Sequence, residues 1–435
     1  MQPSSTQSLQ ASPVTAAPGL KAILPTVAAS ALEGYDLTIY GLFAGTIARQ
    51  FFPSGDSSTG LLLAVATLGV GYVVRPLGGL VMGAYGDRAG RKPAIFLTVA
   101  LMALSTGVMG LIPSYASIGM WAPLMILAAR LVQGFAAGGG GSSISFLAEV
   151  APPEKRGFYA SWLQASQIGA FLLASALAAL IAHLIPEEGG SSIGWRIPFL
   201  LALALGPAAW LIKSRLREPA VFVKDLLSHG EHTSIAQSVF AQWGSVAIGF
   251  GVSCLWTITS FLLLIFMPTY ANRSFGIPLS GTYTSAMIGG VIVFVMCPLM
   301  GRLSDWVGRR ATMMVAALLF ASAVYPLFAY LDDIRTLQSL VFVQAALSVL
   351  IAAYTGPIGA FMAELFPTRI RSTGVSIAAN LAATIVGAFG PFFTTWLIRL
   401  TGDPRAPAYY IAGGAIASFV ALWFARDRTG QALSG

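Results

Sequence analysis

The feature that most constrains this chain is a series of twelve apolar runs, nearly all long enough to cross a lipid bilayer. They fall at 22–52, 59–83, 93–113, 122–149, 157–185 and 194–213, then at 241–271, 281–300, 311–331, 336–363, 372–400 and 408–425. A spanning helix takes about 20 to 25 residues and a short loop about ten more, so 435 residues suit about twelve spans. Apolar and polar side chains do not alternate within the runs, which argues against a β-barrel. Charge points the same way. Only 10% of the residues are charged and 56% are hydrophobic, whereas soluble domains are roughly one quarter charged. This argues against a soluble enzyme, and the hydrophobicity argues against disorder. The expected fold class is an all-α membrane protein.

The runs divide as six, a longer polar stretch, and six. This places an N-terminal bundle over 21–213, a linker over 214–240 and a C-terminal bundle over 241–425. A short tail covers 426–435. Residues 1–20 are rich in Ser, Pro and Ala and lack the basic start of a signal peptide, so a disordered tail is expected there. The net charge of +8 reflects topology rather than nucleic-acid binding. With the N-terminus placed inside, 17 of the 25 Lys and Arg residues fall in inner loops, six fall outside, and Arg75 and Arg130 lie within spans. Both termini are therefore expected in the cytoplasm. Cys254 and Cys297 lie in apolar runs and form no metal or disulfide pattern. His183, His229 and His232 are dispersed or in loops, and no metal site is expected. The GGGG of 138–141 lacks the GK[ST] of a phosphate loop.

The two halves repeat. GAYGDRAGRK (83–92) returns as GRLSDWVGRR (301–310), and EVAPPEKRG from Glu149 returns as ELFPTRIRSTG from Glu364. The offsets are 218 and 215 residues, so a six-helix unit has been duplicated. Parallel repeats of this kind build transporters whose site lies between the halves at mid-membrane. The repeated loop places acids and bases at the inner helix ends. Asp87 can pair with basic residues at a helix start, and Arg88, Arg91 and Lys92 can bridge to Glu149; Asp305, Arg309, Arg310 and Glu364 mirror this set. This is a candidate cytoplasmic gate. The alternative is loop charge that serves topology alone.

The double loop, the six-plus-six pattern and RLVQG (130–134) resemble the major facilitator superfamily. EGYD (33–36), RPLGG (75–79), RLVQGF (130–135), GFYASW (157–162) and GWRIPF (194–199) are similar to its metabolite:proton symporter family. LTGDPRAPAYY (400–410) and the first span most resemble the citrate–proton symporter branch. The resemblance covers all twelve spans. It implies two pseudo-symmetric six-helix bundles and transport by alternating access. One departure stands out: Gly140 occupies the place where relatives carry an acid in the fourth span.

Charges within spans are costly and mark function by default. Here they are Glu33 and Asp36 in the first span, Arg75 in the second and Arg130 in the fourth. Glu33 and Asp36 share one helix face, with Tyr40 a turn further on. Asp36 lies roughly 21 Å into its span, near mid-membrane. A lone buried carboxylate is driven toward its neutral form, and a nearby guanidinium restores the anion. Asp36 and Arg130 could thus form a switchable pair in which protonation releases the arginine to an anionic substrate. The resemblance implies the same roles for an acid in span one and an arginine in span four. Glu33 could instead carry the proton, or pair with Arg75; the sequence leaves this open. A fixed buried salt bridge is the structural alternative for Asp36 and Arg130, and a packing or gating role is the alternative for Arg75. Gln133, Gln164, Gln167, Tyr354 and Asn380 are further candidates to line the site. Trp256, Thr257, Thr259 and Tyr283 are weaker ones, because such residues also serve as glue between helices.

The expected function is proton-coupled uptake of a small organic anion, a di- or tricarboxylate such as citrate. Guanidinium forks suit carboxylates. The alternatives are symport of an aromatic acid, shikimate or a betaine, or proton-linked export of drugs or sugars. The coupling ion is a proton and no other cofactor is expected. The partners are the bilayer and the substrate, with no nucleic acid, and the chain is expected to be a monomer in a bacterial inner membrane.

Overall fold

The computed structural model describes residues 20–52, 57–184, 193–204, 216–229 and 239–433. The tail expected over 1–20 lies, but for Leu20, outside the described residues. So do 205–213 of the sixth run and 214–215 and 230–238 of the linker.

Among the described residues every regular element is helical. The first half holds α1 (Leu20–Leu42), α2 (Ser57–Arg88), α3 (Arg91–Leu111), α4 (Trp121–Val150), α5 (Arg156–Leu184) and α6 (Arg196–Ala204). The second half holds α7 (Trp243–Phe275), α8 (Leu279–Val307), α9 (Arg309–Ile334), α10 (Leu337–Leu365), α11 (Thr368–Thr401) and α12 (Ala406–Phe424). A helix satisfies its own backbone groups, which an apolar solvent cannot do. Nine of these helices, α3 to α5 and α7 to α12, are long and apolar enough to cross a membrane. Large side chains on their outer faces lie open, among them Leu173 and Trp306, as a lipid-facing surface requires.

Each half has its own buried core. Leu32, Met102 and Leu147 belong to one in the first half, and Phe320, Phe328 and Phe366 to that of the second. In the first half, α2 and α4 cross at backbone contact. A Cβ at Gly78 would overlap the Phe135 carbonyl, and one at Gly134 would overlap that of Gly71. Glycine permits this approach, and it brings Arg75 and Arg130 onto neighbouring helices that face α1. In the second half, Ser260–Phe266 of α7 and Ala383–Ala388 of α11 are wound as π-helix. The wider turn leaves Leu263 O to accept from Gln344 Nε2 at 2.8 Å.

Beyond the sixth run, a linker helix (Ala220–His229) packs against α4 and the Thr368–Ile370 turn, one contact in each half. Phe222 anchors it: the ring is buried and lies 4.6 Å from the Arg91 guanidinium carbon.

Candidate functional site

Two carboxylates on one face of α1 organise the middle of the first half. Asp36 accepts from Arg130 Nη1 at 3.2 Å and from Thr106 Oγ1 at 2.9 Å. Gln133 Nε2 donates to Asp36 and also to Thr106 Oγ1, while Gln133 Oε1 accepts from Arg130 Nη1 at 2.9 Å. The Tyr40 ring lies 3.5 Å from the Arg130 guanidinium carbon, and its hydroxyl shares a hydrogen bond with Thr67. The pair is nearly sealed, at 5% and 8% side-chain exposure. Arg130 Nε and Nη2 are nevertheless buried without a hydrogen-bond partner among the described residues.

One turn earlier, Glu33 accepts from Arg75 Nη1 at 2.9 Å and from Gln167 Nε2 at 3.3 Å. The Tyr72 ring lies 4.2 Å from the Arg75 guanidinium carbon. This pair is more open, at 14% for Arg75 and 22% for Glu33. Gly140 faces it: a Cβ there would lie 3.9 Å from Glu33 Oε2. The carboxylate on this face therefore comes from α1.

The second half closes over these pairs with neutral groups. Trp256 Nε1 donates to Gln164 Oε1 at 3.0 Å. Asn380 Nδ2 donates to Gly138 O at 2.8 Å, and Thr384 Oγ1 to Tyr72 O at 2.7 Å. The Phe261 ring, in the π-helical stretch, meets Tyr72 edge to face. Four of the expected residues lie outside this arrangement. The Tyr354 hydroxyl is buried and donates to Val252 O at 2.7 Å, which ties α10 to α7. Tyr283 is exposed. Thr257 and Thr259 donate to carbonyls of their own helix. Thr106 and Tyr72 were not among the expected site residues. Thr106 lies on α3, whose charges, Arg91 and Lys92, sit at its start and not near Thr106, and Tyr72 precedes Arg75 by one helical turn.

At the end that carries the basic loops, the halves are locked together twice. In the first lock, Asp87 Oδ1 accepts from Ser372 N at 3.0 Å, and Oδ2 from Thr373 N at 2.9 Å and Thr373 Oγ1 at 2.6 Å. Arg91 donates to Asp87, Glu149 and Thr368 O. Arg371 Nη1 reaches Glu149 Oε1 at 2.6 Å. The second lock repeats the first with the halves exchanged. Asp305 accepts from Gly157 N at 2.7 Å and Phe158 N at 2.9 Å. Arg309 donates to Asp305 and Glu364, and Arg156 Nη1 reaches Glu364 Oε1 at 2.5 Å. Acids that cap N–H groups at the start of a partner helix gain from its dipole as well.

Arg88 is a correction to the expected gate. It is exposed on the last turn of α2, and none of the lock's hydrogen bonds comes from it. The turn at Gly90 (φ +113°), mirrored at Gly308 (φ +105°), instead swings Arg91 and Arg309 inward. Lys92 contributes its backbone N–H to Glu218, and Arg310 holds the Leu422 and Trp423 carbonyls. Arg156 and Arg371 complete the locks, although their charge reads in the sequence as topology. The available signal was the repeat: Arg371 follows Arg156 by the same 215 residues that separate Glu364 from Glu149.

The Major Facilitator Superfamily profile matches residues 26–334 and 294–434. The chain belongs to that superfamily. The relatives of this superfamily member include the citrate-proton symporter of Klebsiella pneumoniae, at 32% identity over 100% of this chain and 98% of the relative. They also include the glycine betaine/proline/ectoine/pipecolic acid transporter OusA of Dickeya dadantii, likewise 32% identical, over 95% of this chain and 85% of the relative. Among solved structures, the proton:xylose symporter XylE bound to 6-bromo-6-deoxy-D-glucose superposes with a TM-score of 0.76 at 19% identity. It covers 95% of this chain and 97% of that one. The human organic anion transporter MFSD10 gives a TM-score of 0.68 at 17% identity, over 93% and 100%. The solved structures show the fold, and membership of the superfamily makes the chain an integral membrane transporter and not an enzyme.

Proposed function

We propose that this chain takes up a small organic anion together with protons, by alternating access, from a site centred on Arg130 and Arg75. Asp36 carries the coupled proton. One observation carries the reading: Arg130 is buried beside Asp36 while its Nε and Nη2 donors have no partner among the described residues. A buried guanidinium with idle donors calls for an acceptor, and a carboxylate matches its fork. Protonation of Asp36 releases Nη1 as well, so proton and anion binding favour each other. We read the two locks as the gate at the inner face of a bacterial inner membrane and both termini as cytoplasmic, a reading supported by the excess of Lys and Arg in the loops on that side.

A second reading has its own support. Glu33 and Asp36 balance Arg75 and Arg130, so the site is neutral as it stands. A zwitterion such as a betaine would enter it without a charge penalty, and the relatives of equal identity include a betaine transporter. The test is a thermal-shift screen of the purified protein at two pH values, with citrate, succinate, 2-oxoglutarate, benzoate, proline and glycine betaine. The proposed function expects stabilisation by an acid that grows as the pH falls. Stabilisation by betaine or proline alone would replace it with the second reading.

A further inference from the structure

α1 carries the same device twice. Asp36 pairs with Arg130 over the Tyr40 ring, and Glu33 pairs with Arg75 beside the Tyr72 ring. Each acid meets its own arginine on a different helix, α4 for Asp36 and α2 for Glu33. Each has one glutamine donor besides, Gln133 and Gln167. We infer that Glu33–Arg75 is a second proton-linked anion site that works alongside Asp36–Arg130, so that the transported species is a dianion moved with two protons. This rests on the proposed function and fixes its charge.

Linkage supplies the argument. A substrate carboxylate that takes the Arg75 guanidinium must displace Glu33, and a displaced anion in this setting has lost its counter-charge. Protonation removes that cost: a carboxylate oxygen of Glu33 takes one proton and Arg75 becomes free. The same exchange at Asp36 frees Arg130. No covalent bond is made or broken besides these two O–H bonds, and both protons leave as they came. With both acids neutral, two guanidinium charges meet two substrate carboxylates and the loaded site has no net charge. A monoanion would leave one arginine uncompensated, and a trianion would leave one carboxylate so. Either imbalance is costly in a site surrounded by lipid-facing helices.

The charged and titratable groups around Glu33 are consistent with this. α2 supplies Arg75 and Tyr72, α5 supplies Gln167, α1 supplies Asp36, and α4 presents Gly140. Asp36 is the one other base among them, and it is held by Arg130 of α4. The larger exposure of Glu33 and Arg75 makes theirs the pair that exchanges first, with the sealed Asp36–Arg130 pair behind it.

The test counts protons. The full-length protein is reconstituted in liposomes, with succinate, citrate, benzoate and glycine betaine as probes. The proton-to-substrate ratio is read from the substrate gradient that nulls net flux at a fixed pH gradient, with the membrane potential clamped at zero. The expected result is two protons per succinate for the natural chain and one for Glu33→Gln. A ratio of one in the natural chain, an unchanged ratio of two in Glu33→Gln, or transport of benzoate alone would overturn this inference and leave the proposed function standing. Transport of no acid, or of betaine alone, would overturn both. Should Glu33→Gln fail to insert, calorimetry of succinate binding to the natural chain gives the count directly. Proton uptake compared between two buffers of different ionisation enthalpy should then be two, and one would reject the second site.

Discussion

Arg371 of the second half donates to Glu149 of the first at 2.6 Å, and its repeat mate Arg156 of the first donates to Glu364 of the second at 2.5 Å. The duplication has therefore turned one intramolecular contact into a reciprocal pair, so each half holds the other through the same residues. Arg371→Gln leaves the buried Glu149 with Arg91 as its remaining guanidinium. Removing one partner of a buried ion pair costs about 3–5 kcal/mol, and the surviving Arg91 puts this case near the low end. The closed arrangement should lose about two orders of magnitude in population. Spin labels at the exposed positions of Arg88→Cys and Arg302→Cys read the distance between the halves. Cys254 and Cys297 are buried and give little background. An unchanged closed fraction would mean that the lock does not hold the gate.

The same surface also closes through backbone contact. A Cβ at Gly83 of α2 would fall 2.7 Å from Thr373 Cα, across the two halves. Backbone cannot yield as a flexible side chain does, so Gly83→Ala should block closure while leaving each half folded. Uptake should fall by about tenfold or more, since the barred state lies on the transport cycle. Unfolding temperature should change little. Wild-type uptake by Gly83→Ala would show that the halves need not approach this closely.

The spans and the duplication were legible in the sequence because both leave periodic traces: apolar length for the helices, and one offset for two separate motifs. Asp36 and Arg130 were legible as a pair because buried charge is rare enough to leave few combinations. Other contacts left less trace. The face shared by Glu33 and Asp36 follows from helical spacing, but which arginine each meets depends on how α2 and α4 cross, and that is set by Gly78 and Gly134. Arg156 and Arg371 hid among the topological charges. Tyr354 misled because a buried hydroxyl takes a carbonyl within reach, and here that carbonyl is Val252 O.

Glu218 ties the linker to the gate by accepting from Arg91 N and Lys92 N, each at 3.0 Å, at the start of α3. Burial holds its carboxyl above the ordinary glutamate range, against the pull of those two N–H bonds. The folded chain thus binds this proton more tightly than the unfolded chain does. The stabilisation is complete at acid pH and is lost as the pH rises through the raised value. Glu218→Gln should flatten that part of the melting-temperature profile. Parallel profiles for the two proteins would assign the pH dependence elsewhere.

Asp36 and Arg130 should separate in kinetics. Asp36→Asn keeps the shape of the site but removes one proton acceptor, so Arg130 is no longer held by a charge. Each coupled proton multiplies accumulation about tenfold per unit of pH gradient, since one unit is worth about 1.4 kcal/mol. Asp36→Asn should therefore lower steady-state accumulation of the transported acid by about tenfold per unit of gradient and preserve counterflow exchange. Arg130→Lys replaces a fork with a point charge. It should weaken substrate binding by about tenfold or more, in exchange and in net uptake alike. Counterflow and gradient-driven uptake of the same labelled acid, measured in one set of liposomes, distinguish the two. Accumulation undiminished in Asp36→Asn would remove Asp36 from coupling, and unchanged affinity in Arg130→Lys would remove Arg130 from the site.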